Sequence, residues 1–354
     1  MREYNTPLKL DDVSHTFVIA EAGSNWKCGT YDEDLQRAKE LIKIAAKAGA
    51  DAVKFQTYKP ETIYVPDAGI SNYLSNHGIK KSINDIFENL SMPYEMISEL
   101  ARFCKQENIM FMSTPFSIQD AKEVDPYVSI HKVASFEINH VRLLEFLAKT
   151  EKPILISTGA STYTEIDFVV DLVRKKGNSM IALMQCTSKY PCPLSALNLE
   201  VIPQMKSRYK VPVGFSDHSI EPIIAPVLAV GLGATIIEKH FTLDRNLPGP
   251  DHLFALIPSE LELMIKSIRN AELAKGTGKK EILKEEIELR RFATRSIQAI
   301  KDISKGEVLR EGINFEVLRP GNRSRGIEPR FLDDVNGKRA VRDTKKGDGI
   351  TEYQ

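Results

Sequence analysis

The sequence predicts an α/β protein, a (β/α)8 TIM barrel followed by a small β-rich domain. Three observations predict it. Eight short apolar runs alternate with amphipathic segments over about 260 residues, the count and length of such a barrel. The runs are apolar throughout rather than alternating, as parallel strands covered on both faces are. After Gly276-Thr277-Gly278 the chain becomes charge-dense and then rich in Gly and turn residues. A doubly wound open sheet has the same periodicity and is the structural alternative; closure separates the two.

Residues 1–16 read as a short polar lead-in, a small hairpin at most. The first two strands are expected at Phe17–Ala22 and Ala52–Thr57. Between them, after Asp32, Leu35, Ala38, Leu41, Ile42 and Ala45 recur at helical spacing and the pattern stops at Gly49. The segment from Pro60 to Pro93 is too long for a simple strand-to-helix loop, and loops of this length are commonly functional. It follows the second strand, so it is expected over the mouth of the barrel. Pro93 then opens a helix with Met96, Leu100 and Phe103 on one face. Further strands are expected at Ile109–Thr114, Ser129–Ser135 and Ile154–Thr158. Thr162 and Glu165 form a capping box ahead of Ile166, Val169, Val170 and Val173. The last three strands are expected at Ile181–Thr187, Val211–Ser216 and Ala234–His240.

The domain reading is therefore a barrel over 1–278, a helix-compatible linker over 279–291 and a β domain over 292–354. Within the tail, AIKDISKGEVL at 299–309 repeats as AVRDTKKGDGI at 340–350, which predicts two similar β-turn units about a pseudo-two-fold.

Composition excludes some classes. Lys+Arg and Asp+Glu are both 48 among 354 residues, so the formal net charge is zero. This argues against a large nucleic-acid surface or a polybasic membrane surface. No run approaches the roughly 20 apolar residues of a membrane span, and no secretory leader is expected. The four Cys (Cys28, Cys104, Cys186, Cys192) lack CxxC spacing and read as free thiols in a reducing, cytoplasmic compartment.

Active sites of such barrels form at the carboxyl ends of the strands. Every expected strand end here is polar. From Val213 to Phe241 one strand ends in Ser216-Asp217-His218 and the next in Glu238-Lys239-His240, with one helix between. Two of the chain's seven His thus stand at matching positions, which suits a labile metal site in which imidazoles bind Mn, Zn or Fe and a carboxylate and water complete the shell. Lys54 and Lys132 lie inside apolar strands, and an inward Lys must meet an anion or carry a shifted pKa. With the hydroxyls of Ser135, Ser157 and Ser216 they read as a phosphate and carboxylate pocket. Glu21 or Glu137 could complete the metal shell or act as a base.

The strings IAEAGSNW (19–26), VKFQT (53–57), STPFS (113–117), HKVAS-FE (131–137), ISTG (156–159), CTSKYP (186–191), FSDH (215–218), EKHFTLDR (238–245) and PGPDH (248–252) together resemble the sialic acid (N-acetylneuraminate) synthase family. RSIQAIKDISKGEVL (295–309), RPGN (319–322) and NGKRAVRD (336–343) resemble its C-terminal SAF, or antifreeze-like, domain. The resemblance covers nearly the whole chain in the family's order. It implies a condensation of phosphoenolpyruvate with N-acetylmannosamine or a related hexose, releasing phosphate. It implies Mn or Mg on His218 and His240, and a phosphoenolpyruvate pocket of Lys54, Thr114, Lys132, Ser135, Ser157 and Ser216. Glu21 and Glu137 are the implied active-site carboxylates, and Gln56, Tyr190 and Asp251 the implied sugar contacts. Arg319 is the implied arginine that the SAF domain of one subunit inserts into the barrel of the other, in a domain-swapped homodimer. Three features depart from the family: Asn25-Trp26 where it often reads Asn-His, Ser188 where it often has Asn at the pocket edge, and the basic Arg323-Ser324-Arg325 after RPGN. They bear on the acceptor, and a legionaminate- or pseudaminate-type synthase using a di-amino hexose is the alternative. A non-catalytic carbohydrate-binding protein is the alternative of another class.

Overall fold

A computed structural model describes residues 10–12, 14–70 and 81–354. Most of the expected N-terminal hairpin and the middle of the 60–93 insertion lie outside the described residues. The chain divides into two compact units, Met1–Gly276 and Thr277–Gln354. The stretch expected as a linker clusters with the second unit, where a turn at Lys284–Glu286 leads into a helix at Ile287–Ala293.

The first unit carries eight parallel strands: β1 Phe17–Gly23, β2 Ala52–Thr57, β3 Met110–Pro115, β4 His131–Val133, β5 Ile154–Ser157, β6 Ile181–Cys186, β7 Val213–Asp217 and β8 Ile236–His240. Their order is 3-2-1-8-7-6-5-4, so the first strand pairs with the last. β3 and β4, at the two ends of the ladder, lie against each other, which makes a barrel rather than an open sheet. Helices cover its outside. Tyr31–Ala48 begins at a capping box in which the Thr30 N–H and hydroxyl donate to Glu33 Oε2 at 2.7 and 2.8 Å. It ends at Gly49, whose φ of 88° is the left-handed cap that glycine adopts without strain. The Thr162–Glu165 box heads Tyr163–Lys175 in the same way.

Period-two alternation sets what faces inward. Ile19, Ala52, Met112, Ile130, Leu155, Met184 and Ile236 fill the barrel's apolar interior. Two residues further along each strand stand Glu21, Lys54, Thr114, Lys132, Ser157, Cys186 and Glu238, so the apolar plug gives way to a polar layer at the carboxyl end. Gly214 leaves room for this crowding, because a Cβ there would lie 2.5 Å from Met184 Sδ and 2.7 Å from Ile236 Cβ.

β4 is shorter than its expected Ser129–Ser135. The chain leaves the ladder after Val133, and Ser135–Glu137 forms a 3-10 turn in which the Glu137 N–H donates to Ala134 O at 3.0 Å. The described parts of the insertion contain a turn of helix at Pro60–Ile63 and a helix at Ile83–Leu90. Ile83, Ile86 and Leu90 pack with Tyr58, Phe87 and Phe116 as a separate apolar cluster. Among the described residues no helix is long and apolar enough to cross a membrane.

In the second unit β9 (Ser296–Ala299) pairs antiparallel with β10 (Phe315–Leu318) over a core that includes Ile297, Ile303, Leu309, Phe315 and Ile350. The two sequence repeats face each other about a pseudo-two-fold. Ile303 and Thr344, equivalent positions, exchange backbone hydrogen bonds at 2.9 Å. The Lys305 N–H donates to Asp343 at 2.7 Å and the Lys346 N–H to Asp302 at 2.8 Å, one bond the image of the other. Gly306 and Gly347, with φ of 84° and 89°, make the matching turns.

Candidate functional site

At the carboxyl end of the barrel four buried charges interlock. Lys54 Nζ lies 2.6 Å from Glu21 Oε2, donates to Thr114 Oγ1 at 3.0 Å and is 3.8 Å from Glu238 Oε2. Lys132 Nζ donates to Ser157 Oγ at 2.6 Å and is 3.6 Å from Glu238 Oε1. The Ser216 hydroxyl donates to Glu238 Oε1 at 3.0 Å, and the Gln56 amide donates to Glu21 Oε1 at 2.9 Å. Two lysines and two glutamates balance, as buried charge requires. Seven of the fifteen expected site residues, Glu21, Lys54, Gln56, Thr114, Lys132, Ser157 and Ser216, thus come from six strands into one neighbourhood, and Glu238 of β8 sits at its centre.

The electrostatics follow from this arrangement. Burial lifts the Glu21 carboxyl to about 7 against the attraction of Lys54, and Glu238 adds to the rise. Burial opposes ionisation of Glu238 as well, but Lys132 and Lys54 outweigh it and hold that carboxyl down at about 2. Burial pulls the Lys132 ammonium below its ordinary range, with Glu238 opposing. At Lys54 burial acts in the same direction but Glu21 and Glu238 prevail, so its shift is upward. Glu137, on the 3-10 turn after β4, is raised to about 7 by burial alone.

The rings of His218 and His240 stand 5.7 Å apart. His218 Nδ1 lies 2.9 Å from the Thr187 carbonyl oxygen; a carbonyl only accepts, so Nδ1 carries a proton, and although burial pulls the ring down, Cys186 and the Thr187 carbonyl outweigh it and shift it upward. His240 Nδ1 is buried without a hydrogen-bond partner among the described residues, and burial, with His218 and Lys54 nearby and Asp251 opposing, pushes the ring down to about 3, so it stays neutral. Two neighbouring imidazoles are a donor set that suits a divalent ion, which binds the deprotonated ring nitrogen of each. Among the described residues no three His, Cys, Asp or Glu side chains come together as a group that could hold a metal ion.

A third group surrounds Gly159. Its N–H donates to Ser135 Oγ at 3.0 Å, and a Cβ there would meet Ser188 Oγ at 2.3 Å, Ser135 Oγ at 2.8 Å and Cys186 Sγ at 3.0 Å. Ser188 Oγ is buried without a hydrogen-bond partner among the described residues. Cys186 Sγ lies 3.8 Å from His218 Nδ1. The cysteines are free, as expected, but Cys186 stands within the site.

Next to the charged layer opens a cavity of about 530 Å³. Gln56, Ser24, Asp251, Ser188 and Tyr190 line it, and so do Tyr64, Ile83, Ile86, Phe87 and Leu90. The Ser24 hydroxyl donates to Asp251 at 2.8 Å, and the Tyr190 ring lies 4.1 Å from that of His218. The described ends of the insertion therefore stand over the mouth.

Two expectations are corrected, for the Asp217 and Lys239 pair and for Trp26. Asp217 and Lys239 do not join the polar layer; they alternate outward and pair with each other at 2.5 Å. Trp26 is not at a pocket edge but is 1% exposed within the apolar core outside the barrel. Arg319 lies exposed just past β10, in the second unit. Glu238 was legible only as part of a polar cluster; its period-two spacing to His240 was the signal that it faces inward with that ring.

Residues 41–280 match the NeuB family and residues 294–352 the SAF domain. The spore coat polysaccharide biosynthesis protein SpsE of Bacillus subtilis is 41% identical over 94% of this chain and 92% of its own length. The pseudaminic acid synthase of Campylobacter jejuni is 36% identical over 99% of this chain and 97% of its own. Among solved structures, the N-acetylneuraminic acid (sialic acid) synthetase of Leptospira borgpetersenii, in complex with citrate, is 33% identical with a TM-score of 0.68, covering 78% of this chain and 91% of that one.

Proposed function

The chain belongs to the NeuB family, and from that premise we propose that it condenses phosphoenolpyruvate with an N-acyl hexose to give a nine-carbon sialic-acid-type keto acid and phosphate. The observation that carries the reading is the junction of two environments: the Lys54–Glu21–Glu238–Lys132 layer beside two imidazoles, opening into a 530 Å³ cavity. The two lysines of that layer suit the phosphate and carboxylate of a small, highly charged donor, and the cavity suits a sugar.

In this reading Lys54, Lys132 and the hydroxyls of Thr114, Ser135, Ser157 and Ser216 hold the phosphate and carboxylate of phosphoenolpyruvate. Carbon 3 of the donor attacks the carbonyl carbon of the open-chain sugar, forming the new carbon–carbon bond. Water adds to the cation at carbon 2, and the resulting tetrahedral intermediate expels phosphate. His218 and His240 would hold Mn or Mg, which when bound supplies Lewis-acid polarisation of the acceptor carbonyl. Glu137 takes the proton from water: its shift to about 7 comes from burial alone, so its carboxyl titrates at working pH. Glu21 is already engaged on both oxygens by Lys54 and Gln56, which suits an anchor for the lysine. Gln56, Tyr190, Ser188 and Asp251 orient the acceptor, and Arg319 of a second subunit's SAF domain closes the site in a swapped homodimer. The free cysteines fit a cytoplasmic setting.

One observation favours an acceptor other than N-acetylmannosamine. Half of the lining residues are Tyr58, Tyr64, Ile83, Ile86, Phe87, Leu90 and Phe136. A hexose with few hydroxyls and two acylamido groups, as in legionaminate- or pseudaminate-type synthesis, presents methyl groups to such a wall, where a fully hydroxylated chain strands its polar groups.

The test is phosphate release from phosphoenolpyruvate with Mn or Mg and a panel of N-acyl and di-N-acyl hexoses, each with and without chelator. Sugar-dependent, chelator-sensitive release is expected. Absence of release with every sugar, from folded, metal-loaded protein that still binds hexose, would favour the carbohydrate-binding reading.

A further inference from the structure

The two imidazoles are held by different means. His240 lies within β8, where its backbone pairs with Glu21 of β1. His218 lies one residue past the end of β7, beyond the last ladder position, Asp217 opposite Lys239. The sheet therefore fixes one ring and leaves the other to its loop.

Lys239 spans that gap. It directly precedes His240, but alternation sends its side chain out of the barrel, where it is 1% exposed. Its ammonium reaches Asp217 Oδ2 at 2.5 Å, Ser219 O at 2.6 Å, Ser219 Oγ at 3.0 Å and Glu221 O at 3.0 Å. The residues on both sides of His218 are thus tied to one cation on the neighbouring strand. Asp217 Oδ1 completes the clasp by accepting from the Ser219 N–H at 2.7 Å. Two further bonds hold His218 itself: its carbonyl accepts from the Cys192 N–H, and its Nδ1 donates to Thr187 O, both at 2.9 Å. A buried ion pair is a poor source of stability, since well-packed apolar residues of the same volume serve as well or better. What it supplies is direction: a cation with three donors selects one path for the loop backbone.

We propose that Lys239 is the positioning residue that sets His218 against His240, holding the imidazoles at a separation at which one divalent ion spans both. The proposal rests on the reading of these two rings as a ligand pair. Lys239 touches neither the reacting atoms nor the ion; it acts through the 217–221 backbone.

The experiment uses full-length Lys239→Met and the double variant Asp217→Asn/Lys239→Met. The double variant leaves no unpaired buried carboxylate and keeps the acceptor for the Ser219 N–H, so it is the one expected to fold normally. Mn binding is read by electron paramagnetic resonance of the free ion, phosphoenolpyruvate binding by calorimetry, and the ring separation by crystallography. The double variant is expected to bind Mn at least ~10-fold more weakly, the scale on which groups behind metal ligands act. Its phosphoenolpyruvate affinity is expected to be unchanged, and its rings to depart by about 1 Å or more from the 5.7 Å of the wild type, a displacement that matters on the scale of productive geometry. Wild-type Mn affinity with unchanged separation overturns the proposal and leaves Lys239 a stabilising residue only. Wild-type protein that takes up no Mn removes the ligand-pair reading, and the separation alone then decides whether Lys239 positions the ring.

Discussion

Glu238→Gln isolates the centre of the site. The carboxylate lies 3.6 Å from the Lys132 ammonium and 3.8 Å from that of Lys54. Gln keeps the shape and the acceptor for Ser216 but removes the charge, leaving two buried lysines with Glu21 as their counter-charge. Glu238 is depressed from an ordinary 4.5 to about 2, which by linkage is about 3 kcal/mol of stability. Breaking a buried ion pair typically costs ~3–5 kcal/mol, the same order. A folded-state pKa below the unfolded one gives stability that is present above about 4.5 and is lost as pH falls through about 2. The variant is therefore expected to melt roughly 6–12 °C lower at pH 7, at 2–4 °C per kcal/mol for a domain of this size, and the gap should close toward pH 2. Phosphoenolpyruvate supplies the missing negative charge, so it should raise the melting temperature of the variant more than that of the wild type. Calorimetry across pH, with and without phosphoenolpyruvate, reads both effects. A variant that melts with the wild type at pH 7 and gains no extra from the ligand would refute the role of Glu238 as shared counter-charge.

Three further outcomes follow from the same geometry. The acidic limb of kcat/KM against pH is expected near 7 from Glu137, and Glu137→Gln should flatten that limb and lower kcat by ~10²-fold or more; a retained limb assigns it elsewhere. Gly159→Ala drives a methyl to within 2.3 Å of Ser188 Oγ and 2.8 Å of Ser135 Oγ, so the KM for phosphoenolpyruvate should rise ~10-fold or more with the fold intact by circular dichroism, and an unchanged KM would remove Ser135 from the donor pocket. Arg319→Ala should raise the acceptor KM with little change in melting temperature; unaltered acceptor kinetics would dismiss the inserted arm.

The sequence by itself determined the eight strands, their parallel order with helices between, and which residues of most strands face inward. Alternation is a local property, so Lys54 between Val53 and Phe55 can be read as inward without knowing what it meets. The motif strings placed both lysines, both histidines and Glu21 at strand ends, and these residues do converge. The short repeat in the tail was enough to foresee the paired turns, because equivalent residues such as Asp302 and Asp343 make equivalent bonds.

Only the tertiary structure decided which groups touch. Glu21 and Glu238 are separated by most of the chain, and barrel closure, which pairs β1 with β8, brings both onto Lys54. Where the backbone leaves the ladder, alternation ceases to predict direction: the 3-10 turn after β4 swings Ser135 toward Gly159, and Trp26 turns into the core just past the end of β1. The outward Asp217–Lys239 pair is the same lesson in reverse, since a charged residue beside a site residue in sequence faces the opposite way on a strand. Pattern assigns a residue to a face, whereas pairing and charge compensation depend on distances that only the closed barrel sets.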